Sequence, residues 1–156
     1  MTAYVRPSTL DEALAALAEW GPEASILAGG TDLMVPLRAS TLRPALLLNV
    51  FRIEELRRIV EREDGLDLGA TVTVAQLLRS KEVLERAPLL WRAADRFASP
   101  LVRARATVGG NVCNASPAAD LSLALLALDA EVRLASRAAR RTVPFAEFVL
   151  GPRRTA

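Results

Sequence analysis

Histidine is absent from this 156-residue sequence, and cysteine occurs only once, at Cys113. A single cysteine excludes an internal disulfide, and it excludes the several thiolate ligands that a zinc cage or an iron–sulfur cluster requires. The lack of histidine removes the side chain that most often acts as a general base. The sequence therefore contains no recognisable set of side chains for acid–base catalysis or for binding a metal.

Aromatic residues and long apolar runs are also scarce. Aromatics make up 4% of the sequence and the formal net charge is only +2, so neither stacking side chains nor a strong positive field predicts nucleic-acid binding. No apolar run approaches the roughly 20 residues that cross a bilayer, and Met1 to Glu19 lacks the pattern of a signal peptide. We therefore expect a cytoplasmic protein without a membrane span.

The sequence does contain enough apolar material for one globular domain, since 51% of its residues are hydrophobic. Short apolar runs alternate with helical patterns, which predicts an α+β chain. Strands are expected at 4–7, 24–27, 44–50, 131–135 and 141–144, with a hairpin of 57–61 and 66–70. Helices are expected after Ser8, at 33–38, 73–80 and 88–97, and after Ser116, with Leu121, Ala124, Leu125 and Leu128 as the buried stripe of the last. Ser8, Asp32 and Ser116 are the predicted N-caps, and Ser99-Pro100 is expected to start a polar loop.

Two glycine pairs stand out, Gly29-Gly30 and Gly109-Gly110, each preceded by an apolar run and followed by small polar residues. Consecutive glycines can take positive φ angles and leave their backbone N–H groups directed into one concavity, where an anion binds. Two such concavities facing each other would hold a diphosphate. The same glycines also fit two unrelated turns, and the residues alone leave both interpretations open.

The residues after each pair suit an anion site. The Thr31 hydroxyl and the Asn111 amide can add hydrogen bonds to those of the backbone. Asp32 is expected to cap a helix rather than to contact phosphate, because like charges repel. Asp120 fits either the first turn of a helix or a contact with ligand hydroxyls. Neither glycine segment matches the phosphate-binding loop of ATPases or the spaced glycines of ordinary dinucleotide folds.

The segments Leu27-Ala28-Gly29-Gly30-Thr31-Asp32-Leu33 and 106–121 (ATVGGNVCNASPAADL) together resemble the FAD-binding medium subunit of molybdenum hydroxylases, the group of carbon monoxide and xanthine dehydrogenases. A weaker similarity lies at 69–73 (GATVT). The resemblance covers nearly the whole chain. It implies the PCMH-type FAD-binding fold, with two small α/β lobes at about 1–52 and 53–156. Members of this group continue into a further C-terminal domain, which we expect this chain to lack.

The resemblance also implies a set of cofactor contacts and a role. The implied FAD contacts are Ile26, Leu27, Ala28, Gly29, Gly30, Thr31, Asp32, Leu33, Thr107, Val108, Gly109, Gly110, Asn111, Asn114 and Asp120. Phe97 is either a further contact at the edge of the cofactor or an ordinary core residue. In such complexes electrons pass from a molybdenum-cofactor subunit through two-iron two-sulfur clusters to this flavin and then to an external acceptor. The redox chemistry belongs to the flavin, which is consistent with a chain that has no histidine.

Two other functions are compatible with the sequence. One is a self-contained flavin reductase, similar to the enolpyruvyl-glucosamine reductases, although such enzymes need a substrate domain for which this chain has little room. The other is an assembly or docking module that keeps the fold while its flavin site is weak or empty.

Overall fold

The computed structural model describes all 156 residues and combines short strands with short helices. The strands are β1 (Ala3–Val5), β2 (Ala24–Leu27), β3 (Leu46–Asn49), β4 (Ile59–Glu61), β5 (Leu66–Leu68), β6 (Glu131–Ala135), β7 (Arg140–Pro144), β8 (Val149–Gly151) and β9 (Arg154–Thr155). The α-helices are α1 (Leu10–Trp20), α2 (Met34–Arg38), α3 (Val74–Arg79), α4 (Lys81–Arg86), α5 (Pro88–Arg96), α6 (Pro100–Arg103), α7 (Val108–Asn114), α8 (Asp120–Ala127) and α9 (Phe145–Phe148). Two 3-10 turns lie at Gly21–Glu23 and Glu54–Arg57. The α+β class predicted from the sequence is confirmed.

The first lobe is a three-stranded parallel sheet in the order β1-β3-β2, with α1 packed against it. The run of leucines in β3 makes it the central strand, since a strand covered on both sides buries its apolar side chains. Leu46 and Leu48 are fully buried, and they form a small core with Ala13, Val50 and Ile53. The carboxyl ends of β2 and β3 therefore lie side by side.

The second lobe has a larger core of 16 buried residues, which runs in sequence from Val72 to Phe148. Helices α3, α5, α7 and α8 contribute to this core, and the antiparallel hairpins β4–β5 and β6–β7 pack around it. The predicted turn at Gly65 is present, because the Arg62 N–H bonds to the Gly65 carbonyl at 2.9 Å. Ile53 and Leu56 pack with the first core, whereas Ile59 packs with the second.

Asp67 ties the two hairpins of the second lobe together. Its carboxylate lies 2.5 Å from Arg133 on β6 and 3.0 Å from Arg62 next to β4. The hydrogen bond from Arg133 lowers the pKa of Asp67, and that from Arg62 acts in the same direction.

No helix of this fold combines the length and the apolar content that crossing a bilayer demands.

Two predicted N-caps of long helices are wrong. Thr9, not Ser8, caps α1, because its hydroxyl accepts the Glu12 N–H while the Ser8 hydroxyl donates to the Glu12 carboxylate. Ser116 is engaged in a turn, in which its Oγ accepts the Ala118 N–H at 3.2 Å. Helix α8 consequently begins only at Asp120. At α1 the neighbouring Thr9 makes the capping bond, whereas at Ser116 a turn precedes the helix.

Three further expectations about helices are corrected. The polar loop expected at Ser99-Pro100 is helix α6, with Ser99 as its N-cap. Helix α4, capped by Ser80, was not predicted, since its charged sequence has a weak apolar stripe. On α8, Leu121, Ala124 and Leu125 are buried as expected, but Leu128 is 40% exposed because the helix ends before it.

Candidate functional site

The first glycine pair lies in a turn of residues 28–33, where β2 ends at the carboxyl edge of the parallel sheet. Ligands of parallel α/β sheets bind at this edge. None of the six backbone N–H groups from Ala28 to Leu33 donates a hydrogen bond to another group of the chain. Gly30 has a φ of +83°, in the left-handed region that favours glycine. The predicted set of free N–H groups is present in this turn, although only one of its two glycines has a positive φ.

Gly29 has a different role, which is close packing between the lobes. A Cβ at this position would overlap the backbone carbonyl of Arg105 in the second lobe. The Arg105 side chain also returns to the turn, where its Nε donates to the Gly29 carbonyl at 3.3 Å. Glycine at 29 therefore lets two segments 76 residues apart touch at the backbone.

The second glycine pair does not form a second set of free N–H groups, and this prediction is wrong. Gly109 and Gly110 lie in the first turn of α7, whose N-cap is Thr107. The N–H groups of Val108 and Gly109 bond to the carbonyls of Val72 and Ala70 at 2.9 and 2.8 Å. The Gly110 N–H bonds to the Thr107 hydroxyl at 3.1 Å. The backbone N–H groups that the sequence left open are therefore occupied, two by the 69–74 segment and one by the Thr107 cap.

Both glycines of this pair serve close packing. A Cβ on Gly109 would lie 2.7 Å from the Ala70 carbonyl oxygen, and one on Gly110 would lie 2.7 Å from the Thr107 hydroxyl. Helix α7 therefore packs closely onto the 69–74 segment on its Gly109 side and onto its own threonine cap on its Gly110 side.

Asn111 carries an unusual buried atom. Its Oδ1 is enclosed but accepts no hydrogen bond, a condition shared only with the Ser122 hydroxyl among the buried side-chain oxygens and nitrogens of the chain. Buried polar atoms are nearly always paired, because leaving one unpaired costs about 1–3 kcal/mol. Asn111 therefore has an unused acceptor for a donor that the chain itself does not supply.

Asp32 and Asn114 join the two glycine segments at a second point. The Asn114 Nδ2 donates to the Asp32 Oδ1 at 3.2 Å, and the Thr31 hydroxyl donates to the Asp32 Oδ2 at 3.3 Å. Asp32 makes no capping bond to α2, so its predicted role as an N-cap is wrong. Its carboxylate instead links turn 28–33 to the end of α7. The structure thus brings the two predicted segments into direct contact.

Other predicted site residues are more scattered. Ile26 on β2 is 52% exposed, and Leu27, Ala28 and Leu33 are partly buried next to it. Phe97 is half-buried and packs against the core of the second lobe. Asp120 lies in an open groove of about 350 Å³ between α5 and α8, which Arg92 and Arg96 also line. No hydrogen bond or ion pair joins Phe97 or Asp120 to turn 28–33, and their contact with a cofactor stays a prediction.

Sequence reasoning missed Arg105 as a site residue. Its guanidinium lies 4.2 Å from the centroid of the Phe51 ring, in addition to its contacts with Gly29. The only signal was an arginine two residues before Thr107, in a segment expected to be a loop. Cys113, on α7, is exposed, and partial desolvation of its thiol raises its pKa.

Comparisons with known proteins place this arrangement in a family. Residues 1–156 match the family described as FAD binding domain in molybdopterin dehydrogenase. The xanthine dehydrogenase FAD-binding subunit of Escherichia coli O157:H7 is 37% identical over 96% of this chain and 51% of its own length. The carbon monoxide dehydrogenase medium chain of Hydrogenophaga pseudoflava is 36% identical over 95% of this chain and 52% of its own. The chain spans about half the length of the curated relatives it matches.

Solved structures agree with the sequence comparisons. The carbon monoxide dehydrogenase of Hydrogenophaga pseudoflava superposes with a TM-score of 0.95 at 36% identity, over 99% of this chain and 54% of that chain. Quinoline 2-oxidoreductase from Pseudomonas putida 86 gives a TM-score of 0.95 at 30% identity, again over 99% and 54%. Since the family match spans residues 1–156 and the fold is shared with these solved structures, the chain belongs to the family of FAD-binding domains of molybdopterin dehydrogenases.

Proposed function

We propose that this chain binds FAD without a covalent bond and serves as the electron-transfer part of a molybdenum hydroxylase complex. The observation that carries this proposal is the row of six free N–H groups in turn 28–33 at the carboxyl edge of the parallel sheet. A diphosphate needs several such donors, and backbone N–H groups supply them without placing a second charge in the site.

The residues of the site fit this cofactor. The N–H groups of residues 28–33 would hold the diphosphate, while the Thr31 hydroxyl donates to Asp32. The unpaired Asn111 Oδ1 would accept a hydrogen bond from an N–H or O–H of the cofactor. Asp32 accepts hydrogen bonds from Thr31 and Asn114 and so keeps the two segments together.

When bound, FAD supplies the oxidation and reduction chemistry. The chain contributes binding and orientation, because it has no histidine and its only cysteine has a raised pKa. Substrate oxidation therefore requires other subunits. We propose that these are an iron–sulfur subunit, which delivers electrons, and a large molybdenum-cofactor subunit, and that an external acceptor removes the electrons from the flavin.

The assembly-module alternative is favoured by one observation, which is that Gly29 and Gly109 both serve packing of the protein against itself. A chain without cofactor would need the same glycines. The two functions differ at Asn111, since its unpaired oxygen has no use in a purely structural module.

Asn111→Ala tests the proposal. The purified chain is expected to quench the fluorescence of added FAD, and the variant to raise the dissociation constant for FAD about tenfold, the effect of losing one hydrogen bond of about 1.4 kcal/mol. The melting temperature without FAD should change little, because Asn111 Oδ1 has no partner to lose. Fluorescence titration and thermal unfolding measure the two effects.

Ser122→Ala is the matched control, because it removes the other buried oxygen without a partner. It is expected to leave FAD binding unchanged. If the unaltered chain gives no quenching at high FAD concentration, the proposed function is wrong and the assembly module is favoured.

A further inference from the structure

Turn 28–33 is held in shape mainly from outside. Its own backbone bonds are few, namely Met34 N–H to the Gly30 carbonyl and Val35 N–H to the Asp32 carbonyl. The six N–H groups before them are free, so nothing inside the turn keeps them directed to one place. The contacts that fix the turn come from the second lobe, through Arg105 and Asn114.

Arg105 is the more extensive of these two contacts. Its carbonyl packs against Gly29, its Nε donates to the Gly29 carbonyl at 3.3 Å, and its guanidinium stacks on the Phe51 ring at 4.2 Å. Gly29 follows β2 and Phe51 follows β3. One side chain of the second lobe therefore spans the carboxyl ends of two neighbouring strands of the first.

The positive charge of Arg105 is not paired with an acidic residue of the chain. It takes part in no ion pair, and neither Nη atom donates to a protein acceptor. The residue is exposed, and its guanidinium lies beside the turn that carries the free N–H groups. An arginine that is stacked on one side and free at its Nη atoms is suited to bind an oxyanion with two parallel hydrogen bonds.

We infer that Arg105 is a positioning residue for the diphosphate of the cofactor, an inference that rests on the proposed function. It locks turn 28–33 onto the second lobe through Gly29 and Phe51. Its uncommitted Nη groups add a positive charge next to the six N–H donors. The planar guanidinium serves both roles, whereas an ammonium group keeps the charge but cannot stack on Phe51 and bond Gly29 in the same way.

The test compares Arg105→Met and Arg105→Lys with the unaltered 156-residue chain. Arg105→Met is expected to raise the dissociation constant for FAD tenfold or more, and Arg105→Lys to raise it by less, since lysine keeps the charge. Fluorescence titrations at low and high salt should show a weaker salt dependence for Arg105→Met, because a charge that salt screens has been removed. Melting temperatures of the free variants show whether each is folded.

Arg137→Met is the matched control, an exposed arginine between β6 and β7 that makes no ion pair, and it should bind FAD within twofold of the unaltered chain. An Arg105→Met dissociation constant within twofold overturns the inference. The inference is also overturned if the dissociation constant rises as much for Arg105→Lys as for Arg105→Met and the salt dependence stays unchanged. That pattern would indicate a purely structural role. If the unaltered chain binds FAD and the Arg105 variants bind equally well, only the inference fails. If the unaltered chain does not bind, the proposed function fails and the inference fails with it.

Discussion

Gly29→Ala is expected to abolish FAD binding and to lower the free energy of unfolding by about 3 kcal/mol, the upper end of the usual cost of overpacking. The new Cβ would overlap the Arg105 carbonyl, which belongs to the backbone and cannot rotate away. One lobe must then move from the other, and the bond from Arg105 Nε to the Gly29 carbonyl is lost with that movement. The six N–H groups of turn 28–33 would no longer be held beside the second segment.

Denaturant unfolding and FAD titration of the same samples measure both effects. Gly65→Ala is the matched control, because a Cβ on Gly65 meets nothing within 4 Å and its φ is not in the left-handed region. It should keep full FAD binding and unfold within about 1 kcal/mol of the unaltered chain. Equal stability of the two variants would contradict the close contact between Gly29 and Arg105.

Leu48→Ala is expected to lower the free energy of unfolding by about 2–5 kcal/mol. Leu48 is fully buried at the centre of the parallel sheet, and the core of the first lobe has only five buried residues. A cavity in so small a core removes a large share of its apolar contacts. The first lobe should therefore open before the second, and turn 28–33 should lose its shape with it.

Hydrogen exchange measured by strand separates the two lobes. In Leu48→Ala, amides of β2 and β3 are expected to exchange much faster, while those of α5 and α8 keep most of their protection. Leu101→Ala is the control, since Leu101 is 84% exposed and its loss should change stability by less than about 0.5 kcal/mol. Uniform loss of protection across both lobes would show that the two cores unfold as one.

Local patterns predicted the elements that local physics determines. Strand β2 occupies the predicted residues 24–27, because a short apolar run bounded by a proline and a glycine pair has few alternatives. The hairpin around Gly65 was also predicted correctly, because Asp-Gly between two apolar runs favours a tight turn. The first residue of a helix was harder to predict, since several polar residues compete for one N-cap position, as Ser8 and Thr9 do before α1.

The predictions for the candidate site succeed and fail for the same reasons. The first glycine pair behaves as its sequence suggests, because its N–H groups have no partner to meet. In the second segment, the N–H groups of Val108 and Gly109 bond to Val72 and Ala70, more than 30 residues earlier in the chain, and no local pattern shows such a pairing. The Gly110 N–H is occupied by the Thr107 hydroxyl. The position of Arg105 was not predicted, because its contacts are with Phe51 and Gly29, which only the tertiary structure brings to it.

The central claim is that turn 28–33 binds the diphosphate of FAD through its free backbone N–H groups. Nuclear magnetic resonance titration of the labelled chain with FAD observes each of these amides directly, and all six residues carry an N–H group. The amide resonances from Ala28 to Leu33 are expected to shift together and to reach saturation with one dissociation constant, which fluorescence quenching should reproduce. Saturating FAD that leaves these six resonances at their free positions would contradict the account.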